Sequence, residues 1–158
     1  MRMPTDRDLS TFLKISAQLT GYSEDELAGT GMLETYYYTI MKEQDLQTVR
    51  AFFQKAAELL RTKPGLERRI EHAFIRPAQI SPPVFPYDGL ARRIINLWYT
   101  GIWTTTNWKD NPDIQKTAMV NSQAYLQGLI WRTAETHPTG ARQPGYGSWA
   151  DYPIESRS

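Results

Sequence analysis

Thr5-Asp6-Arg7-Asp8-Leu9-Ser10-Thr11-Phe12-Leu13-Lys14-Ile15-Ser16-Ala17-Gln18-Leu19-Thr20-Gly21 holds a helix start, a helical face and a helix stop in one unbroken run. Thr5 and Asp8 fit a capping box, in which side chain and backbone satisfy each other's orphan donors. Leu9, Phe12, Leu13, Ser16 and Leu19 then share one face at helical spacing. Gly21 supplies the left-handed residue that closes a helix. The same grammar restarts at once: Ser23 and Glu26 form a second box, with Glu24 and Asp25 complementing the helix dipole. Two capped helices in immediate succession predict an all-α chain.

Working outward, the second helix carries Leu27, Leu33, Tyr36, Tyr37, Ile40 and Met41, with Gly29 and Gly31 weakening or bending its first half. A third begins near Asp45 and presents Leu46, Val49, Phe52, Phe53, Ala56, Leu59 and Leu60, until Lys63-Pro64-Gly65 ends it. A short helix is expected from Leu66 to about Phe74. Pro77, Pro82, Pro83 and Pro86 then predict an extended, irregular path, because proline fixes φ and bars the preceding residue from helix. The next helix is read from Asp88 to Ile102 in two stripes. Leu90, Ile94, Leu97 and Trp98 point to the core. Arg92, Asn96, Tyr99 and Trp103 form an adjacent stripe whose composition suits a partner-facing surface. Thr104, Thr105 and Thr106 take the chain out of the helix. Asn111-Pro112-Asp113 predicts a last helix, running to about Arg132 through Ile114, Ala118, Tyr125, Leu126, Leu129 and Ile130.

The expected architecture is thus one compact helical domain over residues 1–135, of five to six helices with a Pro-rich loop. An extended aromatic arm follows over 136–158, in the same domain. His137-Pro138, Gly140, Pro144, Gly145, Gly147 and Pro153 forbid regular structure in that arm. Tyr146, Trp149, Tyr152 and Ile154 give it a surface to bind with.

Composition narrows the chemistry. Hydrophobic residues at 41% and charged residues at 22% suit a globular chain, and a formal net charge of +1 gives no field to draw nucleic acid or an anionic membrane. Without cysteine there is no disulfide, thiolate nucleophile, iron–sulfur ligation or thiolate zinc site. No apolar run approaches the roughly 18 residues that span a bilayer. Five Trp, nine Tyr and five Phe exceed what one small core usually needs, and surplus Trp and Tyr favour interfaces.

Candidate catalytic groups are few. Glu67 and Glu71 stand at i, i+4 with His72 beside them, an arrangement open to a hard metal or to acid–base work. Interleaved Arg68 and Arg69 favour a solvated, salt-bridged face instead. Arg61, Lys63, Arg76, Arg92 and Arg93 add to a basic set that reads as ordinary surface charge, without a nucleic-acid-binding motif. Gly145-Tyr146-Gly147-Ser148-Trp149-Ala150 spells a dinucleotide fingerprint. It lacks the strand, helix and distant acid that the mechanism needs. Gly29-Thr30-Gly31 fails the same test. The sequence assigns no catalytic, cofactor-binding or metal residue to this chain.

Three segments carry a resemblance: Phe12–Gly21, Ile95-Asn96-Leu97-Trp98-Tyr99-Thr100-Gly101, and Trp149-Ala150-Asp151-Tyr152-Pro153-Ile154-Glu155. In their order and spacing the chain resembles the small subunit of bacterial FAD-dependent sugar and polyol dehydrogenases, a family with sorbitol, fructose, gluconate and glucose dehydrogenase complexes and glycoside 3-dehydrogenase relatives. The resemblance implies a helical, noncatalytic subunit without a cofactor. It would support the folding and export of a large FAD-containing partner of the glucose–methanol–choline oxidoreductase type, from which a cytochrome c subunit often takes electrons. Trp98 and Tyr99 would be the family's tryptophan–tyrosine pair, Gly101 its glycine, and Trp149 and Pro153 its tail signature. Expected partner contacts are Tyr99, Trp103, Tyr146, Trp149, Tyr152 and Pro153, with Trp98 and Gly101 structural. The family's twin-arginine leader is not visible behind Met1-Arg2-Met3-Pro4, so the expected compartment is the periplasm if the chain is exported with its partner and the cytoplasm otherwise. The alternative is a free-standing helical protein-binding module unrelated to redox chemistry.

Overall fold

In the computed structural model, which describes residues 3–79, 85–106 and 115–138, the opening run folds as its grammar dictates. Helix α1 spans Asp6–Thr20. The Asp8 amide donates to the Thr5 hydroxyl at 3.2 Å, and the Thr5 amide donates to the Asp8 carboxylate at 2.9 Å. Gly21 ends the helix at φ 78°, its N–H on the Ala17 carbonyl. Ser23 and Glu26 repeat the box at the head of α2 (Glu24–Gly29). Asp45 accepts from the Thr48 amide at 2.9 Å to start α4 (Leu46–Leu60).

Glycine decides how the expected helices divide. Gly31, at φ 71°, splits the second one into α2 and α3 (Leu33–Glu43), a break where the sequence suggested a bend. The short helix is α5 (Leu66–Ile70), which loosens into a π-turn at Glu71–Ile75 and then a 3-10 turn at Arg76–Gln79. A second 3-10 turn, Pro86–Gly89, leads into α6 (Leu90–Thr100). Residues 80–84, the centre of the Pro-rich stretch, lie outside the described residues.

Helix α6 is the axis of the core. Leu90, Ile94, Leu97 and Trp98 are all buried, as their stripe predicts. The Trp98 indole meets Tyr36 edge-on at 4.9 Å and Phe12 at 6.0 Å, joining α6 to α3 and α1. A second aromatic run continues from Phe52 to Phe74 at 4.7 Å and from Phe74 to Tyr87 at 5.6 Å, joining α4, the π-turn and the turn before α6. Such edge and tilted pairs contribute about 0.5–1.5 kcal/mol each beyond their burial.

One expectation is corrected. The last helix was read from Asn111 to Arg132, but Gln115–Met119 form strand β2, antiparallel to β1 (Ile102–Thr106) with Thr104 opposite Thr117. Gln115, Lys116, Ala118 and Met119 are tolerable helix formers, so local preference gave no warning. What overrides it is the edge offered by β1, whose threonines suit a pleated surface. The working helix cap is Asn121, whose carbonyl oxygen accepts from the Ala124 amide at 2.8 Å. Helices α7 (Ser122–Gln127) and α8 (Leu129–Thr133) follow, divided at Gly128. Among the described residues the fold is mostly helical, with this one small sheet.

Candidate functional site

The predicted partner stripe does not survive as a stripe. Helix α6 stops at Thr100 because Gly101 turns left-handed, φ 73°, so Trp103 belongs to β1 and not to the helix. Its side chain is 3% exposed, and the Arg93 guanidinium lies 4.4 Å above its ring. Trp103 is therefore covered by its own chain and not offered to a partner. Tyr99 is half-buried: its hydroxyl donates to the Thr20 carbonyl at 3.1 Å, and its ring meets Tyr22 at 6.1 Å. Asn96 and Arg92 are exposed, each donating to a backbone carbonyl, of Ile102 and Ile75 respectively. Tyr146, Trp149, Tyr152 and Pro153 lie outside the described residues.

Glu67, Glu71 and His72 are exposed, and Arg76 lies beside the last two. Its guanidinium is 3.6 Å from the Glu71 carboxylate and 3.5 Å from the His72 ring nitrogen. That is a solvated face of charge, not a converging site. Among the described residues no three His, Asp or Glu side chains form a metal-sized group. Nor do the arginines form one patch. Arg69 donates to the Leu59 and Thr62 carbonyls, and Arg93 is buried.

The sequence places Arg93 among ordinary surface charges; the structure buries it, at 7% exposure. Helical phase could have shown it: Arg93 lies three residues after Leu90 and four before Leu97, on the buried face. Its Nε donates to the Thr104 carbonyl at 2.8 Å, and Nη1 donates to Gln44 and stands 3.5 Å from the Asp88 carboxylate. Gln44 also donates to Asp88, at 3.0 Å. One guanidinium thus ties the end of α3, the turn before α6, and β1. Burial pulls its pKa below the ordinary arginine value, and the Asp88 carboxylate opposes that shift. Tyr87, Asp88 and Gly89 are all at positive φ, between 52° and 66°, in the turn that delivers Asp88 to this node. Non-glycine residues in that region store strain of order 1–3 kcal/mol each, and they persist only where the surroundings hold them. Asp88→Asn keeps a side chain tolerant of positive φ while removing the charge opposite Arg93. A loss of about 1 kcal/mol is expected, since a charge-assisted bond becomes a neutral one. Urea denaturation of the variant checks this. An unchanged midpoint would show that the ion pair adds nothing to the neutral hydrogen bonds.

A groove of about 610 Å³ opens between α1, α3 and α4. Its walls are largely apolar, from Tyr37 and Met41 on α3, Val49 and Phe53 on α4, and Met3 ahead of α1. Met3 is 76% exposed and Leu46 41%, so the apolar surface runs out over the rim. Arg7 and Arg50 also line it, and neither guanidinium is in an ion pair among the described residues. The volume falls within the range of about 300–1,000 Å³ typical of binding clefts. The sequence showed Leu46 and Phe53 only as parts of a broad apolar face. That the face is wider than the core behind it appears only once α1, α3 and α4 are in place.

Comparison with protein-family models, with curated proteins and with solved structures finds no match.

Proposed function

We propose that this chain is the noncatalytic small subunit of an FAD-dependent dehydrogenase complex, binding, folding and stabilising a large subunit of the glucose–methanol–choline type that oxidises a sugar, polyol or glycoside. In this reading FAD sits on the large partner, a cytochrome c subunit or another acceptor takes the electrons, and the complex works in the periplasm when exported as a pair.

The observation that carries the reading is where the resembling segments meet. Phe12 and Thr20, from the first segment, touch Trp98 and Tyr99 of the second: ring centroids 6.0 Å apart for Phe12 and Trp98, and a 3.1 Å hydrogen bond from Tyr99 to Thr20. Residues far apart in sequence that carry one family's pattern also form one packing unit. That is what a shared scaffold requires.

Co-expression with the large oxidoreductase gene that this reading expects beside this one, and capture on a tag carried by this chain, tests the proposal. A yellow complex is expected, with dye-linked dehydrogenase activity that fades when this chain is omitted. A colourless, solitary protein would sink it and put the free-standing binding module in front.

A further inference from the structure

The groove between α1, α3 and α4 is the least explained surface of the molecule. Its floor is closed by residues of the core, with Val49 buried and Phe53 half-buried. Its upper walls carry two methionines, Met3 and Met41, whose flexible side chains suit a surface that re-packs around an anchor. Along α4 it reaches from Leu46 to Ala57, which at 1.5 Å per residue is about 16 Å, or three helical turns. An enclosed pocket would suit a small ligand. Here the exposed Met3 and Leu46 extend the apolar surface beyond the cleft, where only a larger body could cover them.

Charge gives the occupant its sign. Arg7 and Arg50 border the groove without an ion-pair partner among the described residues. The acid that lines it, Asp8, has its carboxylate bound to the Thr5 amide and hydroxyl in the α1 cap. Asp8 keeps its negative charge in that cap, but two guanidinium groups against one carboxylate leave the lining net positive over an apolar floor.

We propose that this groove is the docking site for an acidic amphipathic helix of a partner protein, seating apolar anchors about four and seven residues apart on Met41 and Phe53, with carboxylates on the flanks meeting Arg7 and Arg50. Helix-in-groove recognition of this kind reads anchors on one helical face and sets orientation by flanking charge. For the identity of the partner the inference rests on the subunit reading; the groove itself does not.

The test uses the full chain and a labelled model helix with leucines at its first, fifth and eighth positions and glutamates on both flanks. A twin peptide carries lysines in place of the glutamates, and dodecanoate is the small-molecule comparison. Fluorescence anisotropy is expected to show the acidic peptide binding the more tightly. Reversing the rim with R7E and R50E, both at exposed positions, should weaken it roughly tenfold or more and turn the preference to the lysine twin. Helical circular dichroism should not change. Equal affinity for the two peptides would overturn the proposal, as would binding of dodecanoate without either peptide, which would mark the groove as a small-amphiphile site. In the co-expressed complex, a photo-crosslinker at Gln54 should join to an acidic helix of the large subunit. A yellow complex that forms undiminished with the charge-reversed chain would overturn the groove as that partner's site and leave the subunit reading standing. Failure of the unaltered chain to form any yellow complex would overturn the subunit reading, and the peptide result alone would then decide the groove.

Discussion

Gly101→Ala destabilises the fold by about 2–5 kcal/mol, the sum of a left-handed backbone penalty of about 1–2 and an overpacking penalty of about 1–3. Both parts can be separated within this one chain. Gly101 sits at φ 73°, and a Cβ there would stand 2.6 Å from the backbone carbon and oxygen of Ala124, closer than α7 can yield without moving. Gly21 has the same backbone sign, φ 78°, but open space around it, so Gly21→Ala reports the conformational part alone. Gly128 has an ordinary negative φ, yet its Cβ would meet the Tyr99 carbonyl oxygen at 2.7 Å, so Gly128→Ala reports the close approach alone. Urea midpoints of the three variants check the account, with Gly101→Ala the lowest. If it is no worse than Gly21→Ala, the packing of α7 against the end of α6 is looser than the geometry says.

The same geometry gives the glycine at 101 a structural reason that needs no function. Gly101 is where the buried face of α6 must stop and β1 must begin, with the start of α7 lying directly over the turn. A side chain would push the start of α7 away from the end of α6. The glycine is a condition for assembling the C-terminal third of the described chain.

What the sequence made legible is local. Thr5, Ser23 and Asp45 announce their helices because a cap is a contract between residues three apart, and each is kept. Gly21 ends its helix for the same short-range reason, whereas α6 stops at Thr100, short of the Ile102 boundary that the sequence suggests. The face of α1 is legible in part: Phe12 and Ser16 are buried as expected, but so are Ile15 and Thr20, while Leu9, Leu13 and Leu19 pack at its margins. The misreading arose because apolar residues border the core as well as fill it. Strand β2 was illegible because its identity depends on β1, and the cross-strand pairing is long-range information. Arg92 and Arg93 show the limit most clearly. They are identical neighbours, yet one is exposed and the other is 7% exposed, and only helical phase and the partners Gln44, Asp88 and Thr104 set them apart. Of the candidate interface, Tyr99 and Trp103 were chosen on composition. Composition does not distinguish an aromatic that greets a partner from one that closes its own core.

Trp98 puts that distinction to an experiment. It is 1% exposed and joins Tyr36 on α3 to Phe12 on α1, so truncation opens a cavity where three helices meet. Trp98→Ala should cost about 3–5 kcal/mol, a large share of the 5–15 kcal/mol available to a domain of this kind. Trp98→Phe should cost far less, about 1–2 kcal/mol. It keeps an aromatic ring against Tyr36, and the indole Nε1 it removes is buried with no hydrogen-bond partner among the described residues. Urea denaturation measures both, and tag capture of the proposed large partner runs beside it. If Trp98 is a core residue, capture follows stability: the phenylalanine variant holds the partner and the alanine variant loses it together with its helical signal. An alanine variant that stays folded but releases the partner would make Trp98 a contact instead, and the core built around it would have to be redrawn.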